Sequence, residues 1–175
     1  MDQHRKCCTW LDQSPVRVSP GWLPAGVASL VVLGPYSPVY DSNYGCGIQL
    51  NADRYTPPGD GIITSALIED NVLYDNGAGG GGTVNLDGVL DSVIRKNLLF
   101  NNHASGIILF QIDGAEGPRG NWIYHNTVDQ AANGRWALGL KQATGTNYVR
   151  NNVLYSRHTS PAWCQVQAGA PRTKF

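Results

Sequence analysis

The chain has few charged residues and no long apolar segment. Only 15% of its 175 residues are charged, and 13 basic residues balance 13 acidic ones, whereas about 25% charged residues is usual. A formal net charge of zero excludes a protein that binds nucleic acid through a strongly basic surface. The longest apolar stretch, residues 22–34, contains Pro24 and is too short to span a bilayer. We therefore expect neither a nucleic-acid partner nor a membrane span.

Several signatures of function are also missing. The sequence contains no P-loop, no G-x-S-x-G motif and no clear signal peptide. The glycine run at residues 77–82 formally matches G-x-G-x-x-G, but a strand-like segment follows it where a dinucleotide site requires a helix. The four cysteines do not have the spacing of a metal site; they are Cys7, Cys8, Cys46 and Cys164.

Glycine and asparagine, in contrast, are abundant. The chain has 21 glycines and 14 asparagines, and 13 of these asparagines lie between Asn51 and Asn152. Both residue types tolerate positive φ angles and are common in tight turns. This composition predicts an all-β protein in which many short strands are joined by tight turns.

The body of the sequence repeats. Four asparagines recur at nearly equal intervals, and each has an aliphatic residue three positions before it and another two positions after it; they are Asn71, Asn97, Asn126 and Asn152. A second strand-like segment follows each of the first three asparagines at a nearly constant offset, at Asp87, Asp113 and Lys141. An earlier segment, residues 49–51, fits the same pattern.

A repeat of this length predicts a β-solenoid. Helical repeats would require a 3.6-residue apolar period, which is absent. Successive coils of a β-solenoid lie about 4.8 Å apart, so equivalent residues form columns along the axis. The four asparagines would then form a buried amide ladder at one corner. We expect an irregular segment or cap at residues 1–46, about four to five coils at 47–160 and a tail at 161–175.

These motifs resemble the right-handed parallel β-helix superfamily, which includes pectate lyases and polygalacturonases. The resemblance covers residues 47–158 and implies the handedness and a secreted or cell-surface location, but it is not specific for one activity. Members of the superfamily usually have more coils, so a piece of a longer protein is one expectation. Open coil ends would expose unpaired strand edges, which predicts self-association there.

The strand pattern predicts a polar outer face. Alternation places Val84 and Leu86 inside the coil. Asn85 and Asp87, which alternate with them, would point outward. Equivalent residues of successive coils would then form two outward columns, one of Gln49, Asn85, Gln111 and Gly139 and the other of Asn51, Asp87, Asp113 and Lys141. Amides and charges in this arrangement suit a polysaccharide partner. Arg135, Trp136 and Tyr55 are further candidates for contact with the substrate.

The second column suggests a reaction. Asp87 and Asp113 would lie one coil apart, about 5 Å from each other, and could hold Ca²⁺. Lys141 would act as the base of a Ca²⁺-assisted polysaccharide lyase on acidic glycans, because β-helix lyases use Lys or Arg in this role. A glycoside hydrolase with the paired Asp residues is one alternative, and a non-catalytic surface or adhesion module is another. Both Asp-Gly pairs are also ordinary strand-ending turns.

Overall fold

The structure is a computed structural model that describes residues 31–32, 40–41, 46–55, 59–77, 81–159, 164–166 and 173–174. These residues form short β-strands and no helix, so the described part of the chain contains no helix that could cross a membrane. Most of predicted segment 1–46 and part of tail 161–175 lie outside the described residues.

Most of the strands form three parallel sheets. Sheet 1 contains β1 (Val31–Val32), β5 (Leu67–Glu69), β9 (Val93–Arg95), β12 (Trp122–Tyr124), β15 (Asn147–Arg150) and β18 (Thr173–Lys174). Sheet 2 contains β2 (Tyr40–Asp41), β6 (Val72–Tyr74), β10 (Leu98–Phe100), β13 (Thr127–Gln130) and β16 (Val153–Ser156). Sheet 3 contains β3 (Ile48–Asn51), β7 (Gly82–Asp87), β11 (Ser105–Phe110), β14 (Leu138–Leu140) and β17 (Cys164–Val166). A small fourth sheet pairs β4 (Ile63–Thr64) with β8 (Val89–Leu90).

The chain visits the three sheets in the same order in each coil. It passes from β5 in sheet 1 to β6 in sheet 2 and β7 in sheet 3, and then returns to sheet 1 at β9. The result is a parallel β-solenoid of about four turns, which confirms the predicted fold class. Strands β1 and β2, within the predicted segment 1–46, and β17 and β18, within the tail, also pair with the solenoid.

Aliphatic side chains fill the inside of each coil. The predicted stack of Ile68, Ile94, Ile123 and Val149 is buried, and the paired strands of sheet 1 place these four residues side by side. Full burial of one such side chain stabilises the fold by about 1.5–3 kcal/mol. This stack therefore contributes to a continuous core along the solenoid axis.

The predicted asparagine ladder is confirmed. The Nδ2 atom of each asparagine donates to the Oδ1 atom of its partner in the next coil, at 2.8 Å from Asn71 to Asn97, 2.9 Å from Asn97 to Asn126 and 3.0 Å from Asn126 to Asn152. Each Oδ1 also accepts the backbone N–H of the preceding asparagine. Because the amides satisfy one another, they can be buried at the corner without the cost of unpaired polar groups.

Two further corners have polar ladders that the repeat alignment missed. Asn76 donates to Asn102 at one corner, and Asn121 donates to Asn147 at the other. Ser92 precedes Asn121 in the second ladder, and its backbone N–H donates to the Asn121 Oδ1. The corner residues that precede ladder residues have positive φ angles, as at Asp70, Lys96, His125 and Asn151. Asn and Asp tolerate this conformation well, which explains why they are frequent at the corners.

Candidate functional site

The predicted face is the outer surface of sheet 3, and its register differs from the prediction. Gln49 pairs with Asn85, and Asn51 with Asp87, as expected. In the next coil, however, the partner of Asn85 is Ile108 and the partner of Asp87 is Phe110. The prediction that Gln111 and Asp113 occupy these places is therefore wrong.

Two loops of different length cause this shift. Asn76 and Asn102, which form a hydrogen bond across the coils, are separated by 26 positions in the sequence. The sequence separation of the paired residues Gly82 and Ser105 is three positions smaller. The glycine-rich segment before β7 is thus three residues longer than its counterpart before β11. After the strands, Ser92 and Asn121 bond over 29 residues, so the loop that follows β11 is six residues longer than the one that follows β7.

Asp87 is fully buried and holds this longer loop. Its side chain is 0% exposed. Its Oδ1 atom accepts the backbone N–H groups of Ile112 at 2.9 Å and Gly114 at 3.3 Å, and its Oδ2 atom accepts that of Asp113 at 2.8 Å. The carboxylate therefore supplies the turn with acceptors that the neighbouring strand does not provide.

The other polar residues of the loop do not stack on sheet 3. Asp113 and Gln111 both follow the end of β11. The Gln111 Nε2 donates to the backbone oxygens of Gly114 and Ala115. The exposed pair of carboxylates one coil apart is therefore not formed. Catalytic roles for Asp87, Asp113 and Lys141, and Ca²⁺ binding by the two Asp residues, stay predictions without this geometric support. Within the described ranges, no group of three His, Cys, Asp or Glu side chains could hold a metal.

Trp136 and Lys141 come together on the sheet 3 face. The Lys141 ammonium lies 4.3 Å from the centroid of the Trp136 ring, a distance at which the ring attracts a cation. The ring lies beside Gly139, because a Cβ there would be 3.7 Å from the Trp136 Cε3, an ordinary van der Waals distance. The register, continued by one residue beyond Leu140, places Lys141 beside Phe110. Phe110 is half-buried and was missed, because residues 107–110 are all apolar and show no alternation that would indicate an outward residue.

The remaining predicted residues differ in their positions and exposure. Tyr55 is 67% exposed, and the Arg54 guanidinium lies 4.8 Å from its ring centroid. The loop that carries Tyr55 reaches the turn after β11, where the Arg54 backbone N–H donates to the Asp113 backbone oxygen at 3.1 Å. The other candidates differ in exposure: Asn51 and Arg135 are exposed, Gln49 is half-buried, and Asn85 is buried.

No family model matches this chain, and neither a curated protein nor a solved structure does.

Proposed function

We propose that this protein binds a polysaccharide along the outer face of sheet 3. The observation that carries the proposal is the Trp136 ring on that face, with Lys141 over it and Phe110 beside Lys141 in the neighbouring coil. Aromatic rings that are partly exposed give a sugar an apolar surface, and the ammonium and nearby amides can bond its hydroxyl groups. The exposed residues Tyr55 and Asn51 extend the same kind of surface toward the first coil.

The proposal is for binding without cleavage. What supports this choice is Asp87, whose carboxylate is buried and accepts three backbone N–H groups, so it is poorly placed to contact a substrate or an ion. At a finer level, we propose that the chain resembles the right-handed β-helix superfamily of pectate lyases and polygalacturonases. This resemblance is supported by the buried asparagine ladder and by the parallel coils.

Titration calorimetry with a panel of neutral and acidic oligosaccharides tests the binding. Trp136→Ala should weaken binding of the best oligosaccharide by about tenfold, which corresponds to about 1.4 kcal/mol. Tyr155→Ala is the matched control, because this tyrosine is also exposed but lies on sheet 2. Equal losses in both variants, or no binding across the panel by folded protein, would refute the proposal.

The non-catalytic interpretation has its own test. We expect no absorbance from unsaturated sugar ends when the protein is incubated with polyuronates, whether Ca²⁺ or a chelator is present. Absorbance that depends on Ca²⁺ and is lost in Lys141→Ala would instead establish a lyase.

A further inference from the structure

The outer face of sheet 1 carries aromatic and cationic side chains in neighbouring coils. The strand pairing forms two outward columns, one of Leu67, Val93, Trp122 and Tyr148, and the other of Glu69, Arg95, Tyr124 and Arg150. The residues between them, such as Ile123, point into the core. This face is built from different strands than the sheet 3 face.

Trp122 and Tyr148 stack across two neighbouring coils of this face. Their centroids are 4.2 Å apart with an angle of 14° between the rings, so the two faces cover each other across the coil spacing. Trp122 nevertheless remains 41% exposed. The edge of an aromatic ring is the positive end of its quadrupole, whereas the face is negative. This pair therefore favours contact with electronegative oxygens over the stacking of a sugar ring.

The two arginines of this face differ in their partners. The Arg95 Nε donates to Glu69 at 2.6 Å and its Nη1 to the Tyr124 hydroxyl at 2.9 Å. The hydrogen bond to Glu69, followed by that to Tyr124, raises the pKa of Arg95. The charge of Arg95 is thus matched within the face.

Arg150, in contrast, is exposed and forms none of the ion pairs found among the described residues. Its guanidinium carbon lies 5.9 Å from the Trp122 ring centroid. A guanidinium has five N–H donors in a planar fork that suits two-point bonding of carboxylate or sulfate oxygens. Among the described residues, Arg150 therefore combines an unmatched charge with free donors close to the Trp122 ring.

We infer that the sheet 1 face is a second binding site, which takes the anionic group of an acidic glycan. Arg150 bonds the carboxylate or sulfate, and the edges of Trp122 and Tyr148 flank it. A glycan fits better than a nucleic acid, because the chain has a formal net charge of zero and lacks the broad basic surface that a nucleic acid requires. The site is independent of polysaccharide binding on sheet 3.

Titration calorimetry with three polymers tests the site. Dextran sulfate supplies sulfate, polygalacturonate supplies carboxylate, and neutral dextran has the backbone of dextran sulfate without its charge. We expect at least one anionic polymer to bind, and the polymer that binds identifies the group. Arg150→Gln should weaken this binding by about tenfold or more, since a hydrogen bond to a charged group is lost. Arg157→Gln is the matched control, because Arg157 is exposed but paired with Asp129 on sheet 2.

The possible outcomes separate clearly. Loss in Arg150→Gln but not in Arg157→Gln supports the site, and a matching loss in Trp122→Leu supports the role of the ring edges. Circular dichroism verifies that each variant is folded. Binding of neither anionic polymer, or equal binding by the wild type and folded Arg150→Gln, would overturn the inference.

Discussion

Replacing Asp87 by Asn distinguishes a structural role from a catalytic one. The carboxylate of Asp87 is fully buried and accepts three backbone N–H groups of the loop after β11. An Asn side chain has nearly the same shape but only one acceptor oxygen. Even if that oxygen keeps the two bonds of Oδ1, the new NH₂ group faces the Asp113 N–H, and two donors meet.

The expected cost follows from these contacts. The partly buried N–H of Asp113 loses its partner, which costs about 1–3 kcal/mol, and the other two bonds lose the contribution of the charged acceptor. We expect Asp87→Asn to lower the free energy of unfolding by about 2–4 kcal/mol. Asp113→Asn is the control, because Asp113 lies on the loop itself and is half-buried; its effect should stay within about 0.5 kcal/mol.

Urea unfolding followed by circular dichroism measures both variants, and the polyuronate assay is run in parallel. The structural reasoning is refuted if Asp87→Asn is as stable as the wild type. It is also refuted if the wild type cleaves a polyuronate and the stable Asp87→Asn variant does not, since this would make Asp87 a catalytic residue.

Two further predictions concern the packing of the coils, and urea unfolding measures both. Asn97→Ala removes five hydrogen bonds of the buried ladder and should lower the free energy of unfolding by about 3–5 kcal/mol. The control, Asn101→Gly at an exposed corner with φ 52°, should lower it by about 1 kcal/mol or less. Equal losses of stability would contradict the role of the ladder. Gly106→Ala places a Cβ 2.4 Å from the backbone oxygen of Ala137 in the next coil and should cost about 2 kcal/mol or more. Gly139→Ala, whose nearest neighbour is 3.3 Å away on a side chain, should cost less than half as much, and the reverse order would disprove the packing argument.

The fold could be predicted because the corner asparagines obey a strict physical demand. A polar group buried in the same place in every coil must find a partner, and an amide in the next coil provides one. Asn71 and its successors therefore recur with aliphatic neighbours at fixed offsets. Asn76 and Asn102 follow the same rule, but only two members of that ladder are asparagines, so the repeat alignment did not detect it.

The aromatic residues of the sheet 1 face also have a constant spacing from the ladder asparagines in the sequence. Trp122 and Tyr148 each precede a ladder asparagine by four residues, at Asn126 and Asn152. A search of the outward positions in all three sheets would have found this pair. The partners of the two arginines could not have been predicted in the same way, because the Glu69–Arg95 pair depends on side-chain conformations rather than on register.

The sheet 3 register was beyond the sequence pattern because Asp113 lies three residues beyond the end of β11, and this offsets the three residues that are missing before β11. The two Asp-Gly pairs are therefore as far apart in the sequence as Asn71 and Asn97 are, although the strands before them are not in the same register. That agreement has a structural cause: a Cβ on Gly114 would lie 2.5 Å from the Gly88 Cα, so these two glycines pack together across the coils. The strand shifted by three residues while the turn stayed in place. Asp87 bonds the N–H groups of the turn, so the turn gives the repeated Asp-Gly motif a structural explanation.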